Sequence, residues 1–471
     1  MDSHITPSSS PSLPEPLAQA RPDPLIASPA EPSAEPLTEP LTDASPAAAS
    51  SPPALLPAHA ADGVQARIAS ALVRTRQRER TLHAFVELDS QRAMARATEL
   101  DALPASARGP LHGWPVAIKE VFDAAGWLCP WGSRVHSGRR PTTDAALVRR
   151  LLDAGAVPLG TTASTEYALA AMAATVHPRD ALRSPGASSS GSAAAVGAGL
   201  VPLALGTQTI GSIIRPAAYC GVVGFKPSYG RYATDGVLCL SQQLDHAGVL
   251  AASVAHVIAA DRVLADDAGV AIIAGTPRLR VLRPWFTEEV IPAVSTALDA
   301  CYQQLRRAGY ALEPLAIDAD IAAAETELTD TLLTYELAQR HGATLRGAPG
   351  KVSDRLLEMV ARGEAVSAAR FDAAVAQQAE FTARLDAMLQ PGEVALAPAT
   401  LGLAPLRSEG TGSRAPQRLW TLSGLPAVTV PVGISEGLPV GLQLIGRLGE
   451  DAGLLQMAAR VEALVAGSAD V

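Results

Sequence analysis

Cysteine is scarce in this chain. Its 471 residues hold four, Cys129, Cys220, Cys239 and Cys301, widely spaced and with no C-x-x-C pair. That excludes a disulfide framework and a thiolate zinc site, suits a reducing cytoplasm, and leaves all four to be read as small buried apolar residues. Positive charge is also short: 38 Lys and Arg stand against 47 Asp and Glu, a formal net charge of −9. A nucleic-acid surface, which would show a basic patch or stripe, is therefore not expected. No basic and apolar leader opens the sequence, so export is not expected either. The nine histidines form no ligand spacing, and His246 and His256 read as ordinary surface or core residues. Dinucleotide fingerprint, phosphate loop and solenoid repeat are all missing, so no metal or other cofactor is called for.

What the first 60 residues do have is proline, 14 of the 37 in the chain, interspersed with Ser, Ala and scattered acids. With few large apolar groups to offset ordering entropy, residues 1–60 are expected to be a disordered tail, and 61–471 the folded domain.

Within the domain, helix and strand signals alternate. Val64, Ile68 and Leu72 recur at helical spacing, "LHGWPVAIKEVFDAAGW" (111–127) reads as a strand leading into a loop at Lys119, and residues 145–162 read as a helix followed by a strand. "CGVVGFKPS" (220–228) is a further strand, 287–390 is mostly helical, 425–433 and 438–446 form two arms of a hairpin, and 451–465 is a closing amphipathic helix. The fold class this predicts is α/β: one large α/β/α domain whose central mixed, mainly parallel sheet is covered by helices.

One stretch does not fit a plain scaffold. "SPGASSSGSAAAVGAG" (184–199) places five serines among glycines and alanines, with no charged residue until Arg215. A flexible linker, a membrane span and a catalytic loop could each look like this. The span reading fails because 192–214 is broken by Gly197, Gly199, Pro202, Gly206, Gln208 and Gly211, where a bilayer helix would carry large apolar side chains. The catalytic reading draws support from Lys119 at the end of an apolar strand and from the Gly-rich turn within "GTQTIGSIIRPAAYCG" (206–221).

In this order, "GWPVAIKE", "SPGASSSGSAAAVGAG", "GTQTIGSIIRPAAYCGVVGFKPS", "GLPAVTVPVG" and "GLPVGLQLIG" resemble the amidase signature family over about residues 62–465. The resemblance implies an amidase with a Ser–cis-Ser–Lys triad: Ser212 as nucleophile, Ser188 after a cis peptide bond as proton shuttle, and Lys119 as base. It assigns the oxyanion hole to the backbone of Thr209, Ile210, Gly211 and Ser212, and it places Ser189 and Arg215 as substrate-binding or supporting residues. Chemically this is coherent. A serine needs a base to attack an amide, and a lysine can be that base only when desolvation keeps it neutral.

Several positions depart from the commoner pattern: Gln208 for Asp, Ile210 and Ala187 for Gly, Thr161 for Lys, and Arg215 after two apolar residues instead of one. Gln208 and Arg215 resemble the malonamidase-like branch, where the arginine holds a substrate carboxylate. The implied reaction is hydrolysis of a small amide through a seryl acyl-enzyme, with a small-molecule amide as partner, no nucleic acid, no membrane, and a homodimer as an open assembly. Two alternatives remain: an ammonia-generating amidotransferase component of a larger complex, and a non-catalytic member of the family.

Overall fold

Every residue of the strand Pro115–Lys119 is buried, which places "PVAIK" in the middle of a sheet covered on both faces. The computed structural model describes residues 63–265 and 277–467, and the expectation of a disordered segment over 1–60 lies outside them. The strands are β1 Phe85–Leu88, β2 Pro115–Lys119, β3 Val157–Thr162, β4 Leu203–Gln208, β5 Val223–Lys226, β6 His246–Ala251, β7 Arg278–Leu282, β8 Leu312–Leu315, β9 Glu393–Pro398, β10 Ala427–Ser435 and β11 Leu438–Ile445. They form one sheet in the order β1-β3-β2-β4-β6-β5-β10-β11-β9-β7-β8. The helices are α1 Val64–Leu82, α2 Ser90–Asp101, α3 Ala146–Asp153, α4 Ser190–Gly197, α5 Ile214–Cys220, α6 Val254–Leu264, α7 Pro292–Arg307, α8 Ala319–Arg346, α9 Asp354–Glu364, α10 Ala368–Ala387, α11 Ala415–Leu422 and α12 Asp451–Ala466.

The sheet is mixed, as expected, but it is not mainly parallel. Four of its ten pairings, β2–β3, β2–β4, β7–β8 and β7–β9, are parallel, and six are antiparallel. The alternation of helix and strand holds toward the two ends of the sheet. In the centre, β6 inserts antiparallel to both β4 and β5, and β10 returns beside β11 through a tight turn. Glu436 and Gly437 at that turn have φ of 50° and 76°, the paired left-handed geometry that matches strand twist in two-residue hairpins.

Two apolar clusters cover the faces. One combines Ile68, Leu72 and Leu82 of α1 with Ala97 of α2, Ala193–Val196 of α4 and Ala217 of α5. The other, larger, packs α3, α6, α7–α10 and α12 against the opposite face. Helix α1 begins where Asp101 accepts the Val64 and Gln65 amides at 2.6 and 3.0 Å, satisfying two amides that a helix start leaves free.

Small residues let α4 reach the sheet. A Cβ on Gly191 would lie 2.2 Å from the Ala84 carbonyl oxygen and 2.5 Å from the Ala163 nitrogen, so only glycine fits there. Gly186, at φ +82°, is similarly pressed against Pro216. Because β2 and β4 run parallel, their C-terminal ends, Lys119 and Gln208, open on the same edge of the sheet, where open α/β sheets bind ligands.

Candidate active site

Each hydroxyl of the serine run has a partner inside the protein, as buried polar groups require. Ser184 Oγ accepts from the Gly186 amide at 3.2 Å, and Ser190 Oγ donates to the Gly186 carbonyl at 2.7 Å. Ser192 Oγ donates to the Leu205 carbonyl at 2.8 Å and lies 2.7 Å from Thr162 Oγ1. Ser189 Oγ donates to the Thr207 carbonyl at 3.2 Å. Four of the five serines thus lock a loop, a helix start and a strand together. Ser188 differs: it follows a cis peptide bond from Ala187, and its Oγ is 2.9 Å from Lys119 Nζ.

Lys119 is 0% exposed, and its Nζ also donates to Thr207 Oγ1 at 2.7 Å. Burial brings the amine from its ordinary 10.5 down to about 7, against the opposing pull of Glu120 and Asp245. Neither carboxylate forms a salt bridge with it. Glu120 is occupied by the Ser164 and Gly132 amides at 2.6 and 2.8 Å. Asp245 accepts from Thr209 Oγ1 at 2.6 Å and from the Leu240 and Ser241 amides at 2.6 and 3.0 Å. Burial raises the Asp245 carboxyl to about 6.

Strand β4 ends in the turn 209–213, which leads directly into α5. Gln208 fixes this turn: its Oε1 accepts the Ile213 and Ile214 amides at 2.9 and 3.1 Å, and its Nε2 donates to Thr421 Oγ1 at 3.0 Å. Thr421 Oγ1 donates in turn to the Ile210 carbonyl at 2.7 Å. With that carbonyl tied back, the Ile210, Gly211 and Ser212 amides have no acceptor among the described residues. Ile210 is absent from the non-glycine residues at positive φ, which are His83, Trp131, Tyr167, Ala168 and Glu436. Its backbone therefore avoids the region in which a branched side chain is crowded, and it lines the cavity.

That cavity, about 430 Å³, is also lined by Ser188, Ser212, Thr209, Ala187, Arg215, Thr165, Arg355, Arg414, Glu288 and Glu409. It is within the size range of small-molecule sites. Ser188 and Ser212, 24 residues apart in sequence, thus face one space. The two residues expected to bind substrate or support the site take different places. Ser189 is fully buried and does not line the cavity, so its bonds to Thr207 make it a support of the loop and not a substrate contact. Arg215 lines the cavity, but its terminal nitrogens donate to the Ala187 and Gly412 carbonyls at 2.8 and 2.7 Å, tying the cis-peptide loop to the segment before α11.

A family model described as Amidase matches residues 66–455. The chain belongs to the amidase family. It is 33% identical to a glutamyl-tRNA(Gln) amidotransferase subunit of Chloroflexus aurantiacus over 82% of this chain and 90% of the relative. The corresponding subunit of Anaeromyxobacter dehalogenans is also 33% identical, over 84% of this chain and 92% of the relative. Among solved structures, a crystal structure of an amidase superposes with a TM-score of 0.79 at 29% identity, covering 86% of this chain and 96% of that one. The peptide amidase of Stenotrophomonas maltophilia gives 0.72 at 30% identity, covering 85% and 93%. This amidase is accordingly an amide-hydrolysing enzyme. No described helix is long and apolar enough to cross a membrane.

The amidase's departures from the commoner pattern have local physical reasons. Gln208 both caps α5 and donates to Thr421; a carboxylate could do only the first. Thr161, where lysine is common, is buried and donates to the Leu128 carbonyl at 2.9 Å. Nothing in the sequence singles out Thr207, Asp245 or Thr421. Thr207 lies within one of the motifs, but no local signal marks a threonine as a lysine's acceptor, and Thr421 is 211 residues from the carbonyl it holds. Of the cysteines, Cys129, Cys220 and Cys301 are buried, whereas Cys239 is half-buried in a second cavity of about 160 Å³ behind Thr207 and Thr209.

Proposed function

We propose that the enzyme hydrolyses small amides through an acyl-enzyme on Ser212, with Ser188 and Lys119 relaying the proton. The observation that carries this reading is the 2.9 Å contact of Ser188 with a fully buried lysine that has no carboxylate ion-pair partner and is poised near neutrality. Once neutral, Nζ keeps its donation to Thr207 and turns its lone pair to the Ser188 hydroxyl. Ser212 Oγ attacks the amide carbonyl as its proton passes to Ser188 Oγ and that of Ser188 passes to Nζ. The carbonyl oxygen takes the negative charge beside the free amides of residues 210–212, donors fixed before the reaction begins. The resulting ammonium returns its proton through Ser188 to the leaving nitrogen, and the C–N bond breaks. Water then repeats the path on the acyl group: it loses a proton to the relay, attacks the ester carbonyl and releases Ser212, which recovers the proton.

Removal of the Ser212 hydroxyl tests this. Ser212→Ala is expected to abolish ammonia release and labelling by a fluorophosphonate while leaving the melting curve unchanged. Labelling that persists at another serine would overturn the assignment.

A second reading comes from the relatives at 33% identity, which are amidotransferase subunits. The two readings share the chemistry and differ in the partner. Ammonia release from small amides by the purified chain alone favours the free amidase; activity that appears only with a partner complex and charged transfer RNA favours the amidotransferase. The expected homodimer is likewise put forward as a proposal, tested by its mass in solution.

A further inference from the structure

The turn that follows β4 is fixed at three points, and the first of them is a carboxylate outside the reaction cavity. Gln208 holds the Ile213 and Ile214 amides, and Thr421 holds the Ile210 carbonyl. At the head of the turn Thr209 Oγ1 donates to Asp245 Oδ1 at 2.6 Å. The β4–β6 register creates this contact between residues 36 apart in sequence: Gln208 pairs with His246, so Thr209 meets Asp245 one step beyond the ladder. Asp245 lines the second cavity, with Thr207 and Thr209, and not the first. It therefore acts on the reaction cavity through Thr209, which lines both.

Both carboxylate oxygens are committed. Oδ1 accepts from Thr209, and Oδ2 accepts the Leu240 and Ser241 amides at 2.6 and 3.0 Å, closing the loop that leads into β6. That loop is backed by α8: Glu336 Oε2 accepts from Ser241 Oγ at 2.5 Å and from the Gln243 amide at 3.2 Å. The carboxylate is thus held from behind while it holds the hydroxyl in front. An asparagine has one acceptor oxygen and could serve only one of the two sides. A hydrogen bond to an ionised acceptor is roughly twice as strong as a neutral one, which makes this the firmest of the three anchors. Asp245 also adds its charge to the surroundings of Lys119, where with Glu120 it opposes the effect of burial. The other titratable groups around Asp245 are Glu336, Cys239, Tyr229 and the adjacent His246.

We infer that Asp245 is a positioning residue of the hydrolysis, one that aims the amides of residues 210–212 at the developing oxyanion by holding Thr209. This rests on the amidase reading above and extends it from residues that touch the substrate to one that does not. Donors fixed in advance stabilise a transition state only while the backbone that carries them stays in place, and this bond keeps it there.

The test uses the full-length protein with Thr209→Val, Thr209→Ser, Asp245→Asn and the Thr209→Val/Asp245→Asn double variant, assayed by ammonia release from a panel of small primary amides. Thr209→Val should lower kcat by about 10- to 30-fold, short of the hundredfold or more that follows outright loss of an oxyanion donor, with KM changed less than about threefold. Thr209→Ser should recover most of the rate. Asp245→Asn should lose at least as much as Thr209→Val, and the double variant no more than Asp245→Asn alone, because the two residues act through one bond. Asp245→Asn should also move the acid limb of the pH profile to lower pH, since a charge favouring the protonated lysine is gone, and Thr209→Val should move it less. Losses that multiply in the double variant, or wild-type kcat in Thr209→Val, would overturn the inference. If Asp245→Asn does not fold, the two Thr209 variants decide. Hydrogen exchange over residues 209–213 needs no turnover: it should quicken in Thr209→Val and return toward the wild-type rate in Thr209→Ser. If no amide is cleaved, or Ser212→Ala stays active, while exchange behaves in this way, the amidase reading fails and the anchoring by Asp245 stands. If Ser212→Ala is inert and Thr209→Val exchanges as slowly as wild type, the amidase reading stands and the anchoring fails.

Discussion

Thr207 stands nearer the buried amine than the serine does: its Oγ1 is 2.7 Å from Lys119 Nζ, against 2.9 Å for Ser188 Oγ. The hydroxyl is an acceptor for the ammonium, so it favours the charged form. Thr207→Val should shift the acid limb of the pH–rate profile to lower pH and, because the amine is no longer aimed, reduce kcat by about 10- to 100-fold. Thr207→Ser should restore both. An unmoved limb in the valine variant would mean that Thr207 only fills space.

In the wild type the same limb should lie near pH 7. Below it the folded lysine holds a proton and cannot accept another; above it the neutral fraction, and with it the rate, rises. Stability should follow the same direction: between about 7 and 10.5 the unfolded chain keeps a proton that the folded lysine has lost, so raising the pH through this window stabilises the fold. Rate profiles and urea unfolding across that range measure the two effects.

Lys119→Ala and Ser188→Ala should each lower turnover by several orders of magnitude, and the double variant should lose little more, since groups that pass one proton act as a unit. Multiplicative losses in the double variant would contradict a shared relay.

Thr421 joins Gln208 to the Ile210 carbonyl from a helix remote in sequence. Thr421→Val leaves a buried amide donor and a buried carbonyl unpaired, which should cost about 2–3 kcal/mol of stability by urea unfolding. The loosened turn should lower kcat more than it raises KM, because its amides serve the transition state.

Ile210 keeps an ordinary backbone and lends the cavity a branched wall. Ile210→Gly should extend acceptance to bulkier amides while changing turnover of the smallest only modestly. A gain on every amide, small ones included, would show instead that the isoleucine suppresses the chemistry itself.

Much of this site was legible in the sequence because its parts are local. Lys119 ends a five-residue strand whose other four residues are apolar, and the turn after Gln208 directly joins β4 to α5, so both could be placed on one sheet edge. The position of β6 between β4 and β5 could not be read, because pairing depends on long-range register and the alternation of elements suggested crossovers instead. Ser189 looked like Ser188 in composition. What separates them is the cis bond before one and the Thr207 backbone beside the other. Arg355 comes from a segment with no motif, and only the fold brings it to the cavity that Ser212 lines.

The seal around Lys119 also decides how the protein should answer to ionic strength. Counterions act over a Debye length of about 8 Å in physiological salt, and they act chiefly on charges that face water. An amine that is 0% exposed is largely outside their reach, so its titration should stay nearly fixed as salt is raised. Arg355, an exposed residue of the same cavity lining, is open to them. One cavity then contains a salt-insensitive proton relay and, at Arg355, a charge that salt screens, and concentrated salt should leave the pH dependence of the chemistry in place.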